Sequence, residues 1–357
     1  MAGIFGKTPL ESPWKELFAD IVKLSEFTQQ NRKVQVRDAL IENYDISGVN
    51  LHDAVFEKTE WKNVIAKKIV TGKAVFKDSK FEKVSFVGAN FSEVLFENSE
   101  FIDVEFDEAQ LIDVRFVNCK FKGTDFWKLQ HSKIKFEHAR IEKSQFNDSS
   151  AELAFANSIL NDVDMRSLQA PSSLTFEKSE LIAVNLSRSV LERFELTDSK
   201  VGKTEFNSGR AGTVSISGSD IRMDIVGSTV SSFLISTSSI KLAVNDSRFG
   251  KLDIKACRNM EQFVLRRTSI GTANIEGCLL NNWRSREASI DVWNVKDSQI
   301  ANSKFDGMKV KTATLENVTL DKELNFTNAH IDQLTTKNIT KLPGLNLITT
   351  GSNVKLN

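Results

Sequence analysis

Apolar residues recur at every fifth position along much of this chain. From 76 to 126 the series reads Phe76, Phe81, Phe86, Phe91, Phe96, Phe101, Phe106, Leu111, Phe116, Phe121 and Phe126, and no phenylalanine in that window falls off the register. Two residues before each of these sits a small or β-branched side chain, among them Ala74, Ser79, Val84, Ala89, Val94, Ser99, Val104 and Ala109. The other three positions are mostly charged residues, Asn, Asp or Gly.

A period of five fits neither regular element. Five residues advance an α-helix by about 500°, which would spray the phenylalanines around the cylinder. Five is odd, so in a flat strand they would alternate between the two faces. The chain must instead turn a corner once per repeat, sending positions i−2 and i inward. Four corners close a coil of about twenty residues, and coils stack at the strand spacing of about 4.8 Å. The expected fold is therefore all-β, a parallel solenoid with a phenylalanine-rich interior.

The register runs backwards through Trp61, Phe56, Leu51, Ile46, Ile41 and Val36, and forwards through Phe136, Ile141 and Phe146. It slips at 147–175, where Phe155, Leu160 and Met165 are one residue out of phase, and returns at Phe176. A second shift gives Ile225, Val230, Ile235 and Ile240, and the series from Ile290 to Leu320 is regular again. The organisation predicted is a cap at 1–33, a β-helix at 34–340 with interruptions near 147–175 and 281–289, and a tail at 341–357. In the cap, Ser12-Pro13 reads as an N-cap followed by a proline at the first helical position. Trp14, Leu17, Phe18, Ile21 and Leu24 then form the apolar stripe of one helix ending near Gln30. That helix either lies across the first coil or docks a partner through Trp14 and Phe18. The tail either covers the far end or pairs two copies of the chain into a homodimer.

The five-residue pattern resembles that of the pentapeptide-repeat family, in which a small residue at i−2 and Leu or Phe at i recur for many units. The resemblance covers most of the chain and implies a right-handed quadrilateral β-helix. One departure is that i−2 is often Val, Ser or Thr here, so the inner columns are expected to pack less uniformly. The resemblance also implies two further roles that the fold has been used for: an acidic, DNA-shaped rod that modulates a type II topoisomerase, and a secreted bacterial effector.

Charge narrows these choices. The chain has 47 basic and 47 acidic residues, so no global field favours nucleic acid or an anionic membrane. An acidic outer wall is nonetheless expected at Glu93, Glu97, Glu100, Asp103, Glu105, Asp107, Glu108 and Asp113, a window without Lys or Arg next to Phe91–Leu111, though Lys120, Lys122, Lys128, Lys133 and Lys135 flank it. A weaker basic patch gathers Lys251, Lys255, Arg258, Arg266 and Arg267, countered by Asp253 and Glu261. Cys119, Cys257 and Cys278 share no metal-ligand spacing and suit a reducing compartment. No stretch approaches the roughly 20 apolar residues of a membrane span, and the first residues lack the apolar core of a secretory signal.

Candidate chemistry is sparse. None of His52, His131, His138 and His330 belongs to a metalloprotease-like motif; His131 falls on an inward position, where it reads as a packing defect. Cys119 and Cys278 fall at i−2, where a thiol serves as a small apolar residue. A five-residue corner leaves no groove for a catalytic pair of acids. No catalytic residue, metal or cofactor is predicted. Segment 281–289, Asn281 to Ser289, breaks the register and places Trp283 beside Arg284 and Arg286, residue types enriched at binding hot spots. The function expected is that of a non-enzymatic, cytoplasmic scaffold whose partner is another protein, with nucleic acid less favoured as a partner because no basic domain or set of exposed aromatics backs the basic patch.

Overall fold

The computed structural model describes residues 8–30 and 32–356, which form two compact units, Met1–Leu174 and Thr175–Asn357. Each unit is a parallel β-solenoid.

In the first unit one side of the coil stacks Val36, Phe56, Phe76, Phe96, Phe116, Phe136 and Phe155 in register. The next stacks Ile41, Trp61, Phe81, Phe101, Phe121, Ile141 and Leu160. A third carries Phe86, Phe106, Phe126 and Phe146, and a fourth Thr71, Phe91 and Leu111. All these side chains are buried. A sequence period of five has become a spatial period of twenty, since each phenylalanine lies on the one a full turn earlier. The rings stack nearly parallel: along the first side the centroids are 5.0, 4.7, 4.9, 5.1 and 4.9 Å apart. Rings on adjacent sides meet edge-on, as Phe96 and Phe101 do at 5.3 Å and 74°. Both geometries suit the ring quadrupole.

The corners explain the outer residues. The residue two after each inward position has positive φ, as at Lys58 (53°), Asp78 (50°), Asn98 (50°) and Asn118 (56°). Asn and Asp tolerate this left-handed conformation because their short polar side chains bond locally. Lys58, Lys83 and Glu93 adopt it too, so the stacking overrides local preference there.

In the i−2 columns serine supplies a second ladder. The backbone N–H of Ser79 donates to Oγ of Ser99 at 3.2 Å, and that hydroxyl donates to the Glu97 carbonyl at 2.8 Å. The same arrangement joins Ser199, Ser219 and Ser238 in the second unit, and Gly209, Ser228 and Ser247 on another side. A buried hydroxyl is costly only when unpaired; these serines each accept from a corner amide, whereas the buried Thr124 hydroxyl at the same position has no partner among the described residues.

The phase slips do not interrupt the coil. Phe136 pairs with Phe155 and Ile141 with Leu160, so these turns contain nineteen residues. The corner opens into the extended strand Ala151–Ala156, in which Ala151, Leu153 and Phe155 all point inward. Within residues 166–173 only Gln169, Ala170 and Pro171 stand exposed, and Ser172 is buried again. In the second unit most turns are two long bent strands, such as Arg210–Ser217 and Asp220–Val226. The shift near Ile225 is again a short turn, with Phe206 over Ile225, and an extra residue at Glu261 restores the phase. Segment 281–289 is likewise no loop: Trp283–Arg286 is a strand, paired on both sides.

Phe116→Ala removes a ring held between Phe96 and Phe136 and is expected to cost about 3–5 kcal/mol. Ser228→Ala deletes the acceptor of the Gly209 amide and the donor to the Phe206 carbonyl; it should cost about 1–3 kcal/mol. Urea unfolding of the two variants measures both losses; a neutral Ser228→Ala would show that the serine ladder contributes nothing.

Candidate functional site

Inward positions are filled by packed side chains, so any site must lie on the outer walls or at the ends. At the start of the chain the single predicted helix is two: α1 (Trp14–Ala19) and α2 (Ile21–Gln29). Asp20 breaks between them and caps α2, accepting from the amides of Val22 and Lys23. Ser12 caps nothing through a backbone amide; its hydroxyl bonds Glu16 at 2.5 Å. Phe18 is buried against Tyr44, Phe56 and Trp61, with centroids 6.0, 6.4 and 6.4 Å away. It is therefore a lid on the first turn and is not available to a partner. Trp14 is half-buried and packs edge-on to Phe27 at 5.6 Å. At the other end the tail folds back: Asn353 bonds both the amide and the carbonyl of Ile331, and Val354 and Leu356 are buried.

Trp283, read above as an exposed anchor, is in the core. It is 1% exposed and meets Phe263, Trp293 and Phe305 at 5.3, 5.8 and 5.4 Å. Simple alternation explains this, since Trp283 and Ser285 point inward while Arg284 and Arg286 point outward. The basic patch divides between two sheets. Lys251 and Lys255 lie on Arg248–Lys255, where they pair with Asp253 at 2.6 Å and Glu276 at 3.7 Å. Arg258 is exposed beyond that strand. Arg266 and Arg267 end up beside Arg286 on the other sheet.

The eight acidic residues do face outward. Glu93, Asp103, Glu108 and Asp113 occupy positive-φ corners. Glu97 is paired with Lys77 at 3.2 Å and Asp113 with Lys133 at 2.8 Å, while Glu100 lies in register between Lys80 and Lys120. The coils above and below thus neutralise much of this wall. His131 is a correction: it stands exposed at φ 42°, and Leu129 and Ser132 take the inward places around it. Cys257 and Cys278 are stacked in an i−2 column, the Cys257 amide donating to Sγ of Cys278 at 3.4 Å. The Cys278 side chain holds the Cys257 thiol down at about 7, and the same contact raises that of Cys278. Burial pushes the Cys119 thiol up to about 12.

One feature of the first unit was missed by pattern reading. Glu105 and Asp125 are stacked in register on one wall, with Asp107 and Trp127 beside them. Asp107 accepts from the Trp127 amide at 3.2 Å, Nε1 of Trp127 donates to Asp148 at 3.2 Å, and Lys128 lies 3.9 Å from the Trp127 ring centre. Partial burial, with the neighbouring carboxylates of Asp125, Glu105 and Glu108, raises Asp107 to about 6. The signal was the twenty-residue spacing of Glu105 and Asp125, which a five-residue reading does not display. Among the described residues no group of three or more His, Cys, Asp or Glu side chains is placed to hold a metal ion, and no helix is long and apolar enough to cross a membrane.

With this geometry in place, a family model described as a pentapeptide repeat region matches residues 89–169, the turns in which phenylalanines stack most regularly. Those residues are a pentapeptide-repeat region. No curated protein matches it. Solved structures similar to the chain include HetL, a pentapeptide repeat protein involved in heterocyst differentiation regulation from the cyanobacterium Nostoc sp. strain PCC 7120. It is 11% identical, over 92% of this chain and 96% of that one, with a TM-score of 0.25. QnrB1, a plasmid-mediated fluoroquinolone resistance protein, is 14% identical over 56% of this chain and 91% of its own, at 0.22. The periplasmic alginate epimerase AlgG is 7% identical over 94% and 92%, at 0.28. Scores this low carry no argument about function.

The raised Asp107 sets a pH dependence. Its folded pKa lies above the unfolded value, so the folded state holds the proton more tightly, and Asp107 contributes a stability loss that develops as pH rises from about 4 and is complete above about 6. Asp107→Asn should therefore stabilise the protein at pH 7–8 and leave it unchanged near pH 4. An NMR titration should place the Asp107 midpoint near 6; a midpoint near 4 would contradict the assignment.

Proposed function

We propose that this protein is a non-catalytic scaffold that presents outer-wall side chains at fixed spacing to a protein partner. The observation that carries this reading is the division of labour along every strand. Inward positions are committed to stacking, and outward ones are held by ladders that fix their spacing at the strand repeat of about 4.8 Å. A surface of this kind suits a macromolecular partner better than a small substrate, which needs a concave pocket with convergent polar groups. The void bounded by Leu186, Leu191, Phe194, Phe206 and Met223 is wholly apolar.

The acidic-rod reading has less support. Ion pairs between successive turns, such as Lys77–Glu97 and Lys133–Asp113, offset the carboxylates that such a rod would need. A photo-cross-linking amino acid at outward positions, Trp127 in the first unit and Arg284 in the second, tests the scaffold in a native lysate. The expected product is a protein adduct at one wall that a buried-position control such as Phe96 does not give. Release of reducing ends from an α-glucan by the purified protein, or its epimerisation of alginate residues followed by NMR, would contradict the reading and favour an enzyme.

A further inference from the structure

In some columns of the outer wall, charges on successive turns alternate in sign. One column of the second unit runs Lys255, Glu276, Lys296, Glu316 and Lys337 in register, and a column of the first runs Arg37, Glu57, Lys77 and Glu97. Like charges are stacked at several places, such as Glu105 over Asp125, Lys120 over Arg140 and Lys203 over Arg222 and Lys241, and one such place gathers arginines that lack ion pairs among the described residues. On the sheet that contains Asn259–Arg266, Trp283–Arg286 and Gln299–Asp306, Arg266 lies directly over Arg286 and Arg284 directly over Lys304. Arg266, Arg284 and Arg286 are all exposed. Like charges directly opposite in a ladder destabilise it.

The neighbours relieve only part of this repulsion. Arg286 meets Glu287 at 3.3 Å, Lys304 meets Glu323 at 3.3 Å, and Arg267 pairs with Asp246 at 2.6 Å. Arg266 and Arg284 have no ion pair among the described residues. Half-buried Val264, over Arg284 in the register, gives the patch an apolar floor.

We infer that this wall is a docking surface for an extended acidic segment of a partner protein, an inference that rests on the scaffold reading above. Arg284 and Arg286 are two residues apart on one strand, about 7 Å. That is also the separation of same-face carboxylates at alternate positions of an extended peptide. Each guanidinium can take a carboxylate through two parallel N–H bonds. Arg266, one turn away, binds a carboxylate already held by Arg286 or a neighbouring one. Nucleic acid fits less well: a phosphate backbone needs a long basic track, whereas Glu287, Asp306 and Asp246 border these three arginines.

The test uses the full-length protein and a fluorescein-labelled peptide with glutamates at alternate positions, read by anisotropy at low ionic strength. A peptide of the same composition with its glutamates in one block, and a labelled DNA duplex, are the comparisons. The alternating peptide should bind best. Arg266→Glu and Arg284→Glu should each weaken it by about tenfold or more, whereas Lys337→Gln, on the other sheet, should leave it unchanged. Arg266→Glu also places opposite charges over Arg286, so its melting temperature should rise, separating lost binding from lost folding. Wild-type affinity in both charge-reversal variants, or tighter binding of the DNA duplex than of the alternating peptide, would overturn the inference. Either result would leave the scaffold reading standing, because that reading is tested by cross-linking at both walls.

Discussion

The in-register stacking of each inward side chain on the one a turn before is the constraint on which everything else in each unit depends. It sets the ring spacing in the phenylalanine columns, and it holds the corners in left-handed backbone even where Lys58, Lys83 and Glu93 would not choose it. It also aligns serine hydroxyls with the corner amides above or below them. Removing any one contact leaves a partner exposed on both sides, which is why stability in such arrays is shared between neighbouring turns.

The same constraint governs the surface. Outward side chains inherit the register of the inward ones, so a charge can meet its counterpart a turn away as well as a neighbour on its own strand, as Lys251 meets Asp253. Lys77–Glu97, Lys133–Asp113 and Lys337–Glu316 are pairs of the first kind. Balanced composition and an ordered, laddered wall are therefore two aspects of one arrangement. Where like charges are stacked instead, as at the arginines around Arg284, the ladder carries a local cost.

Much of the fold was legible in the sequence, and the misreadings share a cause. The strict series from Phe76 to Phe126 displays both the corner and the inward column, because inward spacing is local along the chain. Contacts across turns are not local. A turn of nineteen residues, as between Phe136 and Phe155, looks like a broken pattern although the ladder continues. Trp283 looked like a loop anchor because the five-residue phase fails there; the strand is flat at that point, and alternation puts Trp283 and Ser285 inside. His131 looked inward because the count ran through a corner with one extra residue, and Ser132 takes the buried place. Asp20 was passed over as a member of a helix, although its side chain is what ends one helix and starts the next. The candidate surfaces were the least legible part, since Glu105 with Asp125 and Arg266 with Arg286 become neighbours only once the turn length is known.

The turn length is therefore the quantity to test. Deleting residues 81–100 removes one full turn and joins Lys80 to Phe101, which occupies the place Phe81 held. Deleting residues 81–97 removes nearly as much chain but leaves the remainder out of phase. Thermal unfolding followed by circular dichroism should show a cooperative, near-wild-type transition for the first variant and a lost or strongly lowered one for the second. Equal tolerance of the two deletions would contradict the stacking on which the whole account rests.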